Sequence, residues 1–129
     1  MPWTFEQDTG KLYDPTGEFV AAGYSGGNCG NNPDWVNNSD SQSHHGGTIP
    51  QGLYNHGVYV DHSQLGAFAI PLIPLDPSTQ FSRSGFYMHG DNSACNDSAS
   101  EGCIIMPPSV RHAFYDSVDG QLQVVAKIE

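Results

Sequence analysis

Residues 86–106, FYMHGDNSACNDSASEGCIIM, decide both the fold of this chain and the chemistry that it can carry. Apolar residues 86–88 and 104–106 flank a segment rich in Asn, Asp, Ser, Gly and Ala. That composition favours a loop over a regular strand or a long helix, so the pattern predicts two buried strands whose ends a loop brings close together. His89 and Cys103 stand at those two ends.

A histidine and a cysteine placed in this way predict nucleophilic chemistry. A sharp turn at Gly102 would make backbone N–H groups available to hold an oxyanion while the Cys103 thiolate attacks a carbonyl. His89 would take the thiol proton, and the carbonyl near Gly90 or the carboxylate of Asp91 would accept a hydrogen bond from its other ring nitrogen. Because buried cysteines are common, two unreactive residues in strands are the alternative interpretation.

The chain before this segment is divided by turn residues. Short apolar runs alternate with turn signals over residues 3–24, which predicts a β-meander. Residues 25–47 are nearly all Gly, Asn, Ser and Asp, and they predict a long loop that is either a lid or a solvated connection. Trp35 and Val36 are the residues that would hold this loop to the body of the protein.

Three further segments carry strand or helix patterns. Residues 48–60 predict one strand, residues 107–115 a short helix that begins with prolines, and residues 121–128 a final strand with alternating apolar positions. The strands are not separated by the helices that parallel βαβ units require. We therefore expect a single mainly β domain, residues 1–129, built as a β-sandwich or an open barrel of mixed strands with one or two short helices.

The apolar run 66–75 contains two prolines. A proline cannot donate a hydrogen bond to a neighbouring strand, so Pro71 and Pro74 predict that the chain leaves the centre of the sheet beyond Ile70 and follows an edge or an extended crossing.

The charge balance excludes several classes of partner. Fourteen acidic residues against four basic ones give a net charge of -10, which disfavours binding to nucleic acid or to an anionic membrane. No apolar run approaches the ~20 residues of a membrane-spanning helix, and the N-terminus lacks the pattern of a signal peptide. Action outside the cell would therefore need another export route. The few cations become informative: Lys11, Arg83, Arg111 and Lys127.

The remaining cysteines and histidines suggest no cofactor. Three cysteines permit one disulfide, and a bridge between Cys29 and Cys95 would leave Cys103 reduced; unpaired thiols at both positions are the alternative. The chain has no HExxH motif and no CxxC pair, so we expect no metal site. The side chains that could be zinc ligands by type are those of Cys29, His44, His45, His56 and His62, but their spacing matches neither motif.

Two motifs in a fixed order resemble a known family. The segment TIPQGLY at 48–54, followed by HG at 89–90 and SEGCIIM at 100–106, is similar to the catalytic signature of the L,D-transpeptidase (YkuD-like) family, with one residue inserted in the first motif. The resemblance covers nearly the whole chain and is strongest to the branch of type VI secretion L,D-transpeptidase effectors, toxins that one bacterium injects into the periplasm of another. The further matching segments are WTF at 3–5, TGKL at 9–12, GYSG at 23–26, MHGD at 88–91 and Arg111.

The resemblance implies a fold, a reaction and a set of partners. It implies an L,D-transpeptidase-like domain in which Cys103 is the nucleophile, His89 is the base, and backbone groups around Gly102 and Cys103 hold the oxyanion. The implied substrate is the tetrapeptide stem of peptidoglycan, which loses its terminal D-alanine. The acyl-enzyme then passes to water, to a free D-amino acid or to another stem. A secretion machinery and a cognate immunity protein are the other implied partners, and the implied site of action is the periplasm of a target bacterium.

Two positions depart from the family pattern. Glu101 stands where the family usually has histidine, and Ile105 stands where it usually has arginine or asparagine. The second departure removes a polar contact to the substrate. A protein of net charge -10 needs a local cation to bind the carboxylates of a stem peptide. We expect Arg111 to supply that cation, with Arg83 as a second candidate, although each is equally a candidate for a purely structural arginine.

Further residues are candidates for the substrate cleft. Asp91 and Ser100 would support the reacting groups, or they would only form turns in the loop. Tyr24 and Tyr54 would line the cleft, or they would only pack in the core. Two other functions fit the sequence less closely: a cysteine amidase or endopeptidase acting on another peptidoglycan bond, and a cell-wall-binding β-domain without catalysis.

Overall fold

In the computed structural model the described residues are 2–26, 33–44, 47–62, 66–76, 86–90, 103–117 and 120–127. They form ten strands, one α-helix (α1) and two short 3-10 helices, so the predicted mainly β class is confirmed. The strands are β1 Trp3–Glu6, β2 Lys11–Tyr13, β3 Phe19–Ala22, β4 Tyr24–Ser25, β5 Gly52–His56, β6 Val60–His62, β7 Gly66–Pro74, β8 Tyr87–His89, β9 Ile104–Ile105 and β10 Gln121–Val125; α1 is Pro108–Asp116, and the 3-10 helices are Pro33–Trp35 and Ser39–Ser41.

One mixed sheet organises the molecule. Its strand order is β3-β2-β1-β10-β5-β7-β8-β9-β4, with β6 paired to β7 beside this path. The first and last strands of the order, β3 and β4, follow each other in the chain and are separated only by Gly23, so the sheet is a nearly closed barrel. A Cβ atom at Gly23 would lie 1.9 Å from the carbonyl oxygen of Ile105 in β9. Glycine is therefore required where the barrel closes.

The N-terminal meander and the final strand have the predicted arrangement. β1, β2 and β3 pair antiparallel in sequence order. β10 pairs in parallel with β1 and antiparallel with β5, which ties the two ends of the chain together. The inward positions of β10 alternate as predicted, with Leu122 and Val124 buried, and the apolar side chains buried in β1 are Trp3 and Phe5.

The core fills the barrel, and α1 covers part of it. Val110 and Phe114 of α1 pack into the core, and the Phe114 ring meets Trp3 edge to face at 5.6 Å. Ala113, which the sequence places on the same face, is exposed. Pro108 occupies the first helical position, where a missing N–H is tolerated, as the sequence predicts. The other large, fully buried side chains are Leu12, Ile49, Tyr54, Ile70, Phe86, Met88, Ile104 and Met106.

The prediction that the chain leaves the centre of the sheet beyond Ile70 is wrong. β7 continues to Pro74 and pairs with β6, β8 and β5 in turn. Pro71 takes part through its carbonyl, which accepts a hydrogen bond from the N–H of Gly57, while the next residue, Leu72, donates its N–H to Phe86. The ladder passes from β8 to β5 at this point, so no N–H is needed from Pro71 itself.

Two other segments are more broken than the sequence predicts. Residues 48–60 form β5 and the start of β6 with a gap at 57–59, where the chain turns so that both strands pair with β7. In the predicted loop 25–47, the described residues form the two 3-10 helices, and the Trp35 ring stacks on His44 at 4.8 Å. Ser41 connects this segment to the chain that leads into β5, because its hydroxyl accepts a hydrogen bond from the N–H of the buried Thr48. No helix within the described ranges has the length and apolar character needed to cross a membrane.

Candidate active site

β8 and β9 bring the two chemically active side chains to adjacent strands. They pair in parallel, with Met88 opposite Ile104 and His89 opposite Ile105. Side chains alternate between the two faces of a strand, and paired residues share a face. Met88 and Ile104 point into the core with no exposed surface, so His89, Ile105 and Cys103 lie together on the opposite face. By strand geometry the Cα atoms of His89 and Cys103 are about 8 Å apart.

The imidazole of His89 is held by the backbone. Its Nδ1 lies 2.9 Å from the carbonyl oxygen of Gly90, and a carbonyl can only accept, so Nδ1 carries the proton. The Nε2 atom is then the basic nitrogen of the neutral ring. The ring is buried, with 3% of its surface exposed, and the His89 carbonyl accepts a hydrogen bond from the N–H of Met106. The contact predicted between His89 and the Gly90 carbonyl is therefore present, while Asp91, the other predicted partner, lies outside the described residues.

Cys103 lies directly before β9 and is also 3% exposed. Two positions along the chain, Ile105 occupies the same face and pairs with Tyr24 of β4. Since successive positions on one face are separated by two residues, the Cα atoms of Cys103 and Ile105 are about 7 Å apart. The side chain of Cys103 is therefore the neighbour of the Ile105 side chain along this face.

A cavity of about 440 Å³ opens at Ile105. This volume is within the range of roughly 300–1,000 Å³ that is typical of small-molecule sites. Neither Cys103 nor His89 lines it, but residues adjacent to each of them do. The described residues that line the cavity are mostly apolar, but they include Tyr24 and the charged Arg111. They are Ala22, Gly23, Tyr24, Gly90, Ile105, Met106, Pro107, Pro108 and Arg111.

Arg111 is a buried cation, with 6% of its surface exposed. Its Nε donates to the carbonyl of Met106 at 3.1 Å, and its Nη1 donates to the carbonyl of Phe68 at 3.1 Å. Burial lowers the pKa of the guanidinium from its usual value, although arginine keeps its charge in proteins near neutral pH. Two backbone carbonyls therefore help to set the position of the charge, one from β7 and one from the segment between β9 and α1.

Gly90 connects Arg111 to the histidine. A Cβ atom at Gly90 would lie 2.8 Å from the Nη2 atom of Arg111. The guanidinium thus packs directly against the residue whose carbonyl orients His89. The structure brings together the base, the glycine that follows it and the arginine predicted to bind substrate.

The two predicted cleft tyrosines lie in different places. Tyr24 lines the cavity. Tyr54 has no exposed surface, donates its hydroxyl hydrogen to the carbonyl of Pro50 at 2.7 Å and meets Phe86 edge to face, so the structure places it in the core. The other predicted site residues, namely Gly102, Ser100, Asp91 and Arg83, lie outside the described residues, as do Cys29 and Cys95 of the possible disulfide.

Within the described parts of the chain, no group of three His, Cys, Asp or Glu side chains is arranged to hold a metal ion. His45 lies outside those parts.

Two residues of the site could not be found from the sequence. Phe68 contributes only its carbonyl to Arg111, and it does so from 43 residues away in the chain. Met106 likewise binds Arg111 through its backbone. Gly23 did carry a signal, because it begins the GYSG segment at 23–26, but the sequence assigned it no role.

No family model, no curated protein and no solved structure matches this chain. The case for a function therefore depends on the geometry of the site and on the sequence motifs.

Proposed function

We propose that this protein is a cysteine acyl-transfer enzyme that acts on the tetrapeptide stems of peptidoglycan. Cys103 is the nucleophile and His89 is the base. The observation that carries the proposal is that two buried side chains, His89 at the end of β8 and Cys103 directly before β9, lie at one parallel strand pair, with Nδ1 of His89 2.9 Å from the carbonyl oxygen of Gly90.

This placement supplies the parts that acyl transfer needs. With its proton fixed on Nδ1, His89 uses Nε2 to accept the proton of the Cys103 thiol. The thiolate attacks the carbonyl carbon of the diaminopimelate residue and forms a C–S bond, and backbone N–H groups at Cys103 and Gly102 hold the resulting oxyanion. When the intermediate collapses, the C–N bond breaks and the amine of D-alanine leaves with the proton from His89.

The thioester then transfers its acyl group. Attack by water regenerates the thiol and gives a tripeptide stem, attack by a D-amino acid gives an exchanged tetrapeptide, and attack by the amine of a second stem gives a cross-link. In each case His89 accepts a proton from the incoming nucleophile and returns it to the thiolate. The sequence motifs support delivery by a type VI secretion system into the periplasm of a target bacterium, together with a cognate immunity protein.

The cavity beside Ile105 supports the choice of substrate. A buried cation, Arg111, lines the same cavity as Ile105, two residues after the nucleophile, and the terminal D-alanine carries a carboxylate next to the bond that breaks. Because the protein has a net charge of -10, such a carboxylate would otherwise be repelled.

The direct test is incubation of the protein with purified tetrapeptide muropeptides, with and without a free D-amino acid, followed by mass spectrometry. Release of D-alanine is expected from the wild type, and exchange is expected to replace its mass by that of the added amino acid. The Cys103→Ala variant is expected to be inactive at equal folded concentration. A wild-type protein that leaves the tetrapeptide unchanged would refute the proposal, and cleavage of another peptidoglycan bond that depends on Cys103 would indicate an amidase or endopeptidase instead.

A further inference from the structure

Phe68 has an unusual backbone conformation in the middle of β7. Its φ angle is +56°, in the left-handed region that residues other than glycine, asparagine and aspartate rarely adopt. Bulky side chains are strongly disfavoured there, so the surroundings must hold the residue in place. Such conformations occur preferentially at functional sites, and none of the steps of the proposed reaction accounts for this one.

Three sets of contacts hold Phe68. Its N–H donates to the Asp61 carboxylate at 3.2 Å. Its ring stacks between the rings of Tyr59 and His112, with centroid distances of 4.3 Å and 3.8 Å. Its carbonyl accepts the hydrogen bond from Nη1 of Arg111. The left-handed backbone therefore has a specific result, which is that the carbonyl points at the arginine of the cavity.

The cavity combines this arginine with apolar walls. Among the described residues that line it, Arg111 is the one charged side chain, and Ile105, Met106 and Pro107 are among the apolar ones. A cation of fixed orientation in apolar surroundings favours a planar anion, and a guanidinium matches the geometry of a carboxylate. The helix α1 also begins at this wall, and its positive end adds to the attraction for an anion.

We propose that Phe68 is a positioning residue whose left-handed backbone aims Arg111 into the cavity, and that Arg111 there binds the carboxylate of a carboxyl-terminal amino-acid residue. The identity of the ligand as a D-amino-acid terminus rests on the proposed function. The recognition of a carboxylate rests on the cavity, Arg111 and Phe68 alone. Gly90 is part of the same arrangement, because a side chain there would displace the guanidinium.

The test compares a carboxylate with its neutral analogue. N-acetyl-D-alanine and N-acetyl-D-alaninamide have the same shape, and neither contains the bond between two residues that the proposed reaction breaks. Their affinities for the wild-type protein would be measured by NMR titration that follows the side-chain Nε–H signal of Arg111. We expect the acid to shift this signal and to bind about 10-fold or more tightly than the amide, since a hydrogen bond to a charged group is worth that much.

Three substitutions of Phe68 separate the effect of its backbone conformation from the effect of its aromatic ring. Phe68→Gly, Phe68→Asn and Phe68→Val all remove the aromatic stack, but glycine and asparagine accept a positive φ angle and valine does not. We expect the glycine and asparagine variants to keep most of the preference for the acid over the amide, and the valine variant to lose it, with its acid affinity falling about 10-fold. A merely structural role for Phe68 would lower the stability of all three without changing this ratio selectively in the valine variant.

Each outcome decides the proposal. Equal loss of the preference in all three variants, or no loss in the valine variant, would refute the positioning role of Phe68. If the valine variant does not fold, the wild-type titration still decides carboxylate binding: an Arg111 signal that does not respond to the acid would refute it. Binding of the acid by a protein that does not cleave tetrapeptide stems would refute the proposed reaction but would leave carboxylate recognition by Arg111 supported.

Discussion

The sheet contains two parallel strand pairs, β1 with β10 and β8 with β9, and they differ on their outer faces. Both pairs point buried apolar side chains into the barrel. On the outer face, β1 and β10 carry Thr4 opposite Gln123, two half-buried polar residues without acid-base or nucleophilic chemistry. On the outer face, β8 and the start of β9 carry His89 and Cys103, both almost fully buried.

The difference distinguishes a structural strand pair from a candidate catalytic one. The β1–β10 pair joins the two ends of the chain over four paired positions and follows the simple alternation of buried and half-buried side chains until Glu6. The β8–β9 pair has only two paired positions, so it contributes fewer backbone hydrogen bonds to the sheet. Burial of a titratable ring on its outer face costs solvation, and positions that break the usual pattern in this way are expected at functional or strained sites.

Replacement of the outward-facing histidine should have the largest effect. For His89→Ala we expect turnover of tetrapeptide stems to fall about 100- to 10,000-fold, because a positioned general base contributes that much. Alkylation of Cys103 by iodoacetamide near neutral pH should slow as well, since the thiolate is the reactive form. Peptide mass mapping would identify the modified cysteine.

The matched control lies on the other parallel pair. Thr4→Ala changes an outward side chain of β1 and should leave both turnover and the alkylation rate unchanged. If Cys103 of the wild type stays unreactive while Cys29 or Cys95 is alkylated, or if His89→Ala has no effect on Cys103, the two pairs would be equivalent and the catalytic assignment would be wrong.

Substitutions at the inward positions of the two strand pairs should lower the stability of the protein by similar amounts. Leu122 in β10 and Ile104 in β9 are both fully buried, so Leu122→Ala and Ile104→Ala should each lower the free energy of unfolding by about 2–5 kcal/mol through lost packing and the cavity that remains. Urea unfolding followed by fluorescence measures this. The half-buried Gln123 is the control, and Gln123→Ala should change the free energy of unfolding by less than about 0.5 kcal/mol.

The same two substitutions should differ in their effect on the turnover of tetrapeptide stems. Ile104 adjoins Cys103 in the chain, so Ile104→Ala should also reduce the activity of the folded protein, whereas Leu122→Ala should not. Equal loss of activity in both variants at matched folded fraction would show that the nucleophile depends on general stability rather than on its own strand.

Local patterns predicted the structural parts of the fold well. The meander at 3–24 and the final alternating strand, predicted over 121–128 and observed over 121–125, are recognisable because each needs only nearby residues: turn signals and apolar side chains at every second position. β7 was misjudged because the rule for proline considers one residue at a time. Pro71 lacks an N–H, but its carbonyl and the N–H of Leu72 maintain pairing on the two sides, and the sequence does not show where a strand exchanges partners.

The site was predicted in part for the same reason. The Gly90 carbonyl could be named as the partner of His89 because it is the next residue, and Arg111 could be named because the chain has so few cations. The Phe68 carbonyl could not, since any residue has a carbonyl and its direction depends on a φ angle that phenylalanine gives no reason to expect. Contacts made by the backbone over long separations in the chain require the fold.

The smallest effect is expected at a turn on the structural side of the barrel, between β2 and β3. The Asp14 carboxylate there accepts hydrogen bonds from the Thr16 hydroxyl and from the N–H groups of Thr16 and Glu18. These bonds, chiefly the one from the hydroxyl, hold the pKa of Asp14 below its usual value. A carboxylate with a lowered pKa stabilises the folded state fully above its unfolded-state pKa of about 3.9, and this contribution is lost as the pH falls through the folded-state pKa.

Asp14→Ala should therefore lower the melting temperature slightly at pH 7, and the difference from the wild type should shrink as the pH falls from 7 to 2, because protonation of the wild-type carboxylate progressively removes its contribution. Thr16→Val removes the main donor and should reproduce part of the loss at pH 7. Differential scanning calorimetry at both pH values measures these changes, and a difference as large at pH 2 as at pH 7 would contradict the charge-dependent role of the turn. The alkylation rate of Cys103 at pH 7 should be the same in all three proteins, because the turn lies beside β2 and β3 while the nucleophile depends on β8 and β9.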